Sequence, residues 1–316
     1  MSRSLSRRQF TKLTAGTAIF VTYNPVAIMK NHRNDSNTIR LGGPLFTKFN
    51  NHDEWITALK ASGYRAAYCP LDLTAGNDEI KAYREAARKA DIIISEVGVW
   101  NNPISPDEAE RNEAIEKCIK SLRLADEIGA KCCVNISGSR NKDQWAGPHR
   151  DNLTDETFDM VVETTRKIID AVNPAQTWFT LETMPWAFPH SPDAYVRLLK
   201  AIDRERFAVH LDPVNMVVSP EIYFNNGEMI KECFKKLGPY IKSCHAKDVI
   251  LREDIYTPHL DEVRPGLGTL SYDVFLKELS KLMDVPLMME HLNTTEEYQL
   301  AADYIREVGR KNGIII

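Results

Sequence analysis

The chain has 316 residues, 43% hydrophobic and 27% charged, with a formal net charge of −4 at pH 7. That composition suits one large globular domain or two small ones, and its mildly acidic balance argues against nucleic acid as a partner, because polyanion affinity rests on Lys and Arg neutralising phosphates. The six cysteines, at 69, 118, 132, 133, 233 and 244, show no Cys-x-x-Cys pair and no zinc-finger spacing, and neighbours Cys132 and Cys133 would point to opposite faces of a strand; all six are expected to be small core residues.

In chain order, Ser6-Arg7-Arg8-Gln9-Phe10-Thr11-Lys12 comes first, followed by the mostly apolar stretch Leu13–Val21. This pattern resembles a twin-arginine export signal. The apolar run is too short to span a bilayer as an ordinary helix, so no stable membrane insertion is expected. A basic amphipathic first helix is the competing reading, but the polar, unpatterned chain through Asn37 favours a signal. Residues 1–37 are therefore expected to be an export signal and linker outside the folded domain, and the protein to be periplasmic or otherwise exported.

From residue 38 onward, short β-branched or apolar runs alternate with longer segments of helical period. Predicted strands are Ile39–Leu41, Tyr64–Pro70, Ile92–Val99, Lys131–Ser137, Thr177–Met184, Phe207–Val214, Ile241–Val249 and Pro286–Leu292. Predicted helices lie near 53–62, 77–90, 106–129, 155–172, 192–203, 228–237, 271–282 and 295–312. Asn77-Asp78-Glu79, Ser105-Pro106-Asp107-Glu108, Thr154-Asp155-Glu156 and Ser191-Pro192-Asp193 read as helix starts, each a polar cap followed by early acids. Gly63, Gly129 and Gly238 fall where helices should stop, predicting left-handed caps. Eight βα units of this size and order predict a single-domain (β/α)8 TIM barrel over residues 38–316. A doubly wound open sheet is the alternative, since alternation does not fix strand order. Gly138–Leu153 and Ile250–Thr269 are the two long insertions expected in the barrel.

Reactive groups in such a barrel sit at the carboxyl ends of the strands. The fifth to eighth predicted strands each end on one suitable group: Glu182, Asp212, His245 and Glu290. Three carboxylates and an imidazole returning to one rim would repel one another and lose hydration unless a cation compensates them. One divalent metal ion is expected as cofactor; oxygen-rich ligands with one nitrogen favour Mn²⁺, Mg²⁺ or Co²⁺, and Zn²⁺ is also compatible.

Those four residues, with Arg264-Pro265-Gly266-Leu267-Gly268 before the seventh helix, resemble the xylose-isomerase-like TIM-barrel superfamily of sugar isomerases and epimerases over residues 39–312. The resemblance implies a small-molecule sugar substrate and a metal-dependent isomerase or epimerase that transfers a proton next to the carbonyl of a sugar or keto-sugar. Glu182 and Glu290, across the metal from each other, would then serve as base and acid. Asn215 and Leu251 stand where ketose 3-epimerases of that family carry a His and an Arg, with Arg252 adjacent to the latter. A metal-dependent lyase or hydratase on a keto-sugar and a non-catalytic sugar-binding barrel are the alternatives. The branch resembling endonuclease IV needs additional His ligands that strands two and three do not supply. Oligomeric state is left open, a homo-oligomer included.

Period-two alternation puts His210 on the face of Asp212 but deeper, where it could orient a ligand carboxylate from behind, and puts Ser243 and Lys247 on the face of His245. Lys247 is a third candidate catalytic group, to bind a substrate oxygen or stabilise an enolate, unless it pairs with Asp248. Candidate substrate-binding residues are His210, Asn215, Glu96, Asn135 and Arg264, together with Trp145 and His149 from the loop after strand four, which also carries Ser139, Arg140 and Arg150 and reads as a lid. Trp186, Phe188 and His190 would form a second aromatic wall.

Overall fold

The computed structural model describes residues 37–316; the expected export signal lies outside the described residues apart from Asn37. Among the described residues ten strands and nine α-helices follow one another: β1 (Arg40–Gly42), α1 (His52–Ala61), β2 (Ala66–Tyr68), α2 (Asn77–Ala90), β3 (Ile93–Gly98), α3 (Glu108–Ile128), β4 (Cys132–Asn135), α4 (Asp155–Val172), β5 (Trp178–Glu182), α5 (Pro192–Ile202), β6 (Phe207–Leu211), α6 (Pro220–Phe224), α7 (Asn226–Leu237), β7 (Ile241–Ala246), β8 (Asp248–Leu251), β9 (Leu260–Val263), α8 (Tyr272–Leu279), β10 (Pro286–Met289) and α9 (Thr295–Lys311). Eight of the strands close a parallel barrel in the order β1-β10-β7-β6-β5-β4-β3-β2. This is the single-domain (β/α)8 barrel that the alternation predicts, and closure disposes of the open-sheet alternative. No helix among the described residues is long and apolar enough to cross a membrane.

Several helix starts follow from side chains that take up orphan backbone amides, but Asn77 does not act in this way: it is the first residue inside α2, whose cap is Gly76 with no side-chain hydrogen bond. Thr154 and Ser191 accept from the amides of Thr157 and Ala194, and Pro192 occupies the first turn of α5, where its missing N–H is not needed. On α3 the cap is Asp107, while Ser105 instead donates to Glu110 Oε2 at 2.7 Å. Gly63 and Gly129 adopt φ of +68° and +79°, the left-handed stops expected of them. Gly238 does not: its φ is −42°, and the chain runs on into a 3₁₀ turn, Gly238–Tyr240, where Pro239 ends the helix.

The predicted seventh strand, Ile241–Val249, is divided. β7 stops at Ala246, and β8 pairs antiparallel with β9, so the stretch expected as an irregular insertion is largely a hairpin. Asp248 makes this turn: its carboxylate accepts the amides of Gly266, Gly268 and Leu270 at 3.0, 3.1 and 2.8 Å. A Cβ on Gly268 would lie 2.3 Å from Asp248 Oδ1, so glycine is required for that approach.

Apolar helix faces cover the barrel wall; Ala194, Tyr195, Leu198 and Ile202 of α5 are buried, and Tyr195 donates to the Leu181 and Ala208 carbonyls. Burying one such side chain contributes about 1.5–3 kcal/mol. The consequence for function is a rigid wall that fixes where β5, β6, β7 and β10 end.

Candidate functional site

The ends of those four strands bring Glu182, Asp212, His245 and Glu290 together, with one ligand-capable atom from each within 4.8 Å of the others. Glu182 is the last residue of β5, His245 lies within β7, and Asp212 and Glu290 directly follow β6 and β10. Glu182 Oε1 and Glu290 Oε1 lie 3.0 and 2.9 Å from His245 Nδ1, and Asp212 Oδ2 lies 3.8 Å from it. Asp212 is set by its own turn, where Oδ1 accepts the Val214 and Asn215 amides at 3.0 and 3.4 Å and leaves Oδ2 directed at the cluster. Asn215 also donates from Nδ2 to Glu182 Oε1 at 3.2 Å and to the Thr183 carbonyl at 3.0 Å. One asparagine thus orients two of the carboxylates.

Lys247 Nζ lies 2.8 Å from Asp212 Oδ2 and 2.7 Å from Glu290 Oε1. Those two oxygens are buried, and although Lys247 is near enough for ion pairing, neither accepts a hydrogen bond of proper geometry. Burial raises the pKa of Glu182 despite the opposing charges of His245 and Lys247. For Glu290, burial is outweighed chiefly by His245 and then Lys247, which hold its carboxyl at about 2. Asp212, also buried, is held well below the usual carboxylate range by Lys247 and His245. Burial would depress His245 and Lys247, but the surrounding carboxylates push both well above their ordinary values. Two buried oxygens lacking hydrogen bonds, in a set of three carboxylates and one imidazole nitrogen, fit a divalent cation.

Beneath His245 a second set of polar groups is fully enclosed. Glu96 on β3 approaches His245 Nε2 at 3.3 Å and His210 Nε2 at 2.9 Å, and accepts from Ser243 Oγ at 3.0 Å. Burial opposes its ionisation, yet the two histidines hold the Glu96 carboxyl far below its usual range. Its role in the geometry is to fix the ring whose Nδ1 faces the cluster, the arrangement by which a carboxylate behind a histidine orients a metal ligand.

Above the cluster opens a cavity of about 530 Å³. Of the residues singled out in the sequence, Glu182, Glu290, Lys247, Asn215 and Trp145 line it. The structure does not bring the other candidate substrate contacts into its wall. Glu96 and His210 lie beneath it, 1% and 0% exposed. Asn135 turns outward to the helix layer, hydrogen-bonding Cys118 of α3 and Asn101 in the segment before that helix, so that its inward neighbour Ile136 reaches the cavity instead. His149 accepts from the Asp151 amide in its own loop, and Arg264 caps the Pro265 carbonyl. Asp248 turns away from Lys247 toward the glycine segment. Trp186 donates from Nε1 to the Ala146 carbonyl at 2.7 Å, bracing the Trp145 loop, while Phe188 is buried against Phe158.

Sequence reasoning missed Tyr68, Trp100, Glu262, His291 and Tyr298, which complete the wall. Tyr68 and His291 had a signal, at or beside a predicted strand end. Glu262 had none: it arrives on β9, where it lies 3.6 Å from Lys247 Nζ and 2.9 Å from His291 Nδ1.

The fold and rim define a closed (β/α)8 barrel whose chemistry is gathered at the carboxyl ends of its strands. The chain belongs to the Xylose isomerase-like TIM barrel family, whose model matches residues 56–308. No curated protein matches it. Among solved structures it is similar to endonuclease IV from Thermus thermophilus, with TM-score 0.65 and 12% identity over 86% of this chain and 99% of that one. It is similar also to 3-keto-D-glucoside 4-epimerase YcjR from E. coli, with TM-score 0.62 and 15% identity over 85% and 100%. A Xylose isomerase-like TIM barrel protein from Mycobacterium smegmatis in complex with magnesium matches with TM-score 0.62 and 16% identity over 87% and 98%. At these identities the likeness is one of fold, and the three names span different chemistries.

Proposed function

We propose that this chain is a divalent-metal-dependent isomerase or epimerase that moves a proton next to the carbonyl of a keto-sugar. The observation that carries the reading is the convergence of Glu182, Asp212, His245 and Glu290 within 4.8 Å of one another under a cavity of about 530 Å³. Those four residues would hold the ion, with Mn²⁺, Mg²⁺ or Co²⁺ suited to the donor set and Zn²⁺ compatible. When bound, it would polarise a substrate carbonyl and the neighbouring hydroxyl. Glu182 and Glu290 then need little movement to take a proton from the adjacent carbon and to return it, on the other face for epimerisation or on the next carbon for isomerisation. Glu96 keeps His245 in place during this exchange, and Tyr68, Trp100 and Trp145 enclose the substrate. The relative named for a 3-keto-D-glucoside supports a keto-sugar.

The test is NMR of candidate keto-sugars incubated with the metal-loaded protein in D₂O. Deuterium should enter one carbon-bound position; absence of exchange on every keto-sugar tried would sink the reading.

A second reading draws on Lys247, whose ammonium lies in the cavity wall between Asp212 and Glu290. Acting as the acid or base, it would turn the same chemistry to elimination or hydration. Metal-replete Glu182 or Glu290 variants that exchange at the wild-type rate, beside a Lys247→Met variant that does not, would move this reading ahead.

The Arg7-Arg8 segment and the apolar stretch behind it support export of the folded protein. Replacing both arginines with lysine should then hold the protein in the cytoplasm, as read by cell fractionation, and unchanged export would remove this part of the proposal.

A further inference from the structure

The keto-sugar reading leaves a second depression on the same rim unused. A groove of about 300 Å³ adjoins the cavity and shares Trp100 and Trp145 with it, while Asn101, Asn102, Glu110, Glu113 and Lys117 supply its polar lining. From this geometry we infer that the substrate is a keto-sugar glycoside of at least two rings, with the reacting ring over Glu182, Asp212, His245 and Glu290 and the attached ring in the outer groove against the two indoles. The inference rests on the keto-sugar reading and adds to it the size and class of the substrate.

Both indoles are held in place by their surroundings. Trp100 adopts a φ of +36°, a left-handed conformation that is strained for a bulky side chain and that persists only where the surroundings impose it. Gly98 permits it: a Cβ there would fall 2.4 Å from Trp100 Nε1. Folded back in this way, the indole lies 6.4 Å from the His245 ring, centroid to centroid, and remains 39% exposed. Trp145 is 43% exposed, on a loop tied down on several sides. Trp186 donates to the Ala146 carbonyl, Ser139 Oγ to the Gly147 carbonyl at 2.6 Å, and Asn102 bonds both the carbonyl and the amide of Ser139 at 2.8 and 2.9 Å.

The fixed loop presents an aromatic face to two depressions at once, which a one-ring substrate would not use. Glu113 and Lys117, exposed one turn apart on α3, line the same groove. An aromatic platform in one groove with carboxylates and an ammonium suits a pyranose, whose C–H face packs on an indole while its hydroxyls meet polar groups. The groove's volume lies at the lower end of ligand-sized pockets, enough for a small group and far less than a protein partner needs.

Calorimetric titration of the full chain loaded with Mg²⁺ tests the inference, with the keto-disaccharides turanose, maltulose, isomaltulose and lactulose each compared with D-fructose. At least one disaccharide should bind about tenfold more tightly than D-fructose, the equivalent of a modest extra contact. Glu113→Trp, a change at an exposed helix position that fills the groove, should abolish that gain and leave D-fructose binding as it was; Trp145→Ala should weaken the disaccharide. If all four disaccharides bind no more tightly than D-fructose, or if the gain survives Glu113→Trp, the inference is overturned. A disaccharide preference without deuterium exchange would sink the proposed chemistry and keep the groove. Exchange without the preference would do the reverse.

Discussion

The two ends of the barrel treat charge in opposite ways. At the amino-terminal end, Arg40 reaches Asp91 at 3.0 Å and Asp284 at 3.3 Å, and Arg65 reaches Asp91 at 2.7 Å, with the two aspartates 67% and 57% exposed. Nearby, Asp126 accepts the amides of Ala175, Gln176 and Thr177. Each of these carboxylates has an arginine or amide partner, Arg40 being shared by Asp91 and Asp284, and stays in contact with water. At the carboxyl-terminal end the Glu96, Glu182, Asp212 and Glu290 side chains are at most 12% exposed, crowd on Lys247 and two histidines, and leave two oxygens without a hydrogen bond. The same residue types stabilise one rim and burden the other, because buried like charges cost far more than exposed ones, and the crowded set could accommodate an additional cation. Incomplete compensation, more than the presence of charge, separates a site built for chemistry from a structural ion-pair network.

The contrast can be broken most severely at His245. His245→Ala should bring the metal content of dialysed protein from about one ion per chain to background, and chelation should lower the Tm of the wild type but not of this variant, since an ion that binds only the folded state stabilises it. Elemental analysis and calorimetry check both, and unchanged metal content would remove the proposed centre. Glu96→Gln keeps the shape beneath His245 while removing the charge, and should weaken metal binding by about 10- to 100-fold in a competition titration against a chelator.

Changes at the opposite rim should be smaller and leave metal content alone. Asp126→Asn should cost about 1 kcal/mol at neutral pH by weakening its hydrogen bonds to the three amides. Burial opposes ionisation of Asp126, but those amides outweigh it and hold its pKa below the ordinary 3.8. A depressed folded pKa means stabilisation that is complete above the unfolded value and is lost as pH falls through the folded one. The stability gap between wild type and Asp126→Asn in urea titrations should therefore be constant above about pH 5 and narrow below about pH 4. The smallest effect is expected for Asp91→Asn, under about 1 kcal/mol, because its arginine partners are screened by water.

Much of this contrast is legible in the amino-acid sequence. Alternation gave the eight βα units, since a strand buried on both faces and an amphipathic helix leave different periods. Polar caps such as Thr154 and Ser191 located helix starts because orphan amides need a partner wherever the helix sits. The four strand-end residues stood out because one barrel rim gathers whatever ends its strands. Local pattern failed where it competes with packing. Gly238 stays right-handed because the chain passes from α7 directly into the 3₁₀ turn Gly238–Tyr240, and β7 breaks at Lys247 because Asp248 organises the glycine segment beyond it.

What the sequence by itself determined is therefore the fold class and the set of groups on the rim; both follow from periods and end signals carried within each short segment. Tertiary structure alone decided which of those groups face one another. Asn135 turns to α3 while Ile136 takes the cavity, Glu96 and His210 lie beneath His245, and Glu262 reaches the site from an inserted hairpin. Period two relates residues within one strand but does not say which face turns inward, and no local pattern fixes how far a hairpin folds back over a neighbouring strand. Trp100 depends on both: its position follows β3, but its ring reaches the rim only because Gly98 leaves room and the closed barrel puts His245 opposite.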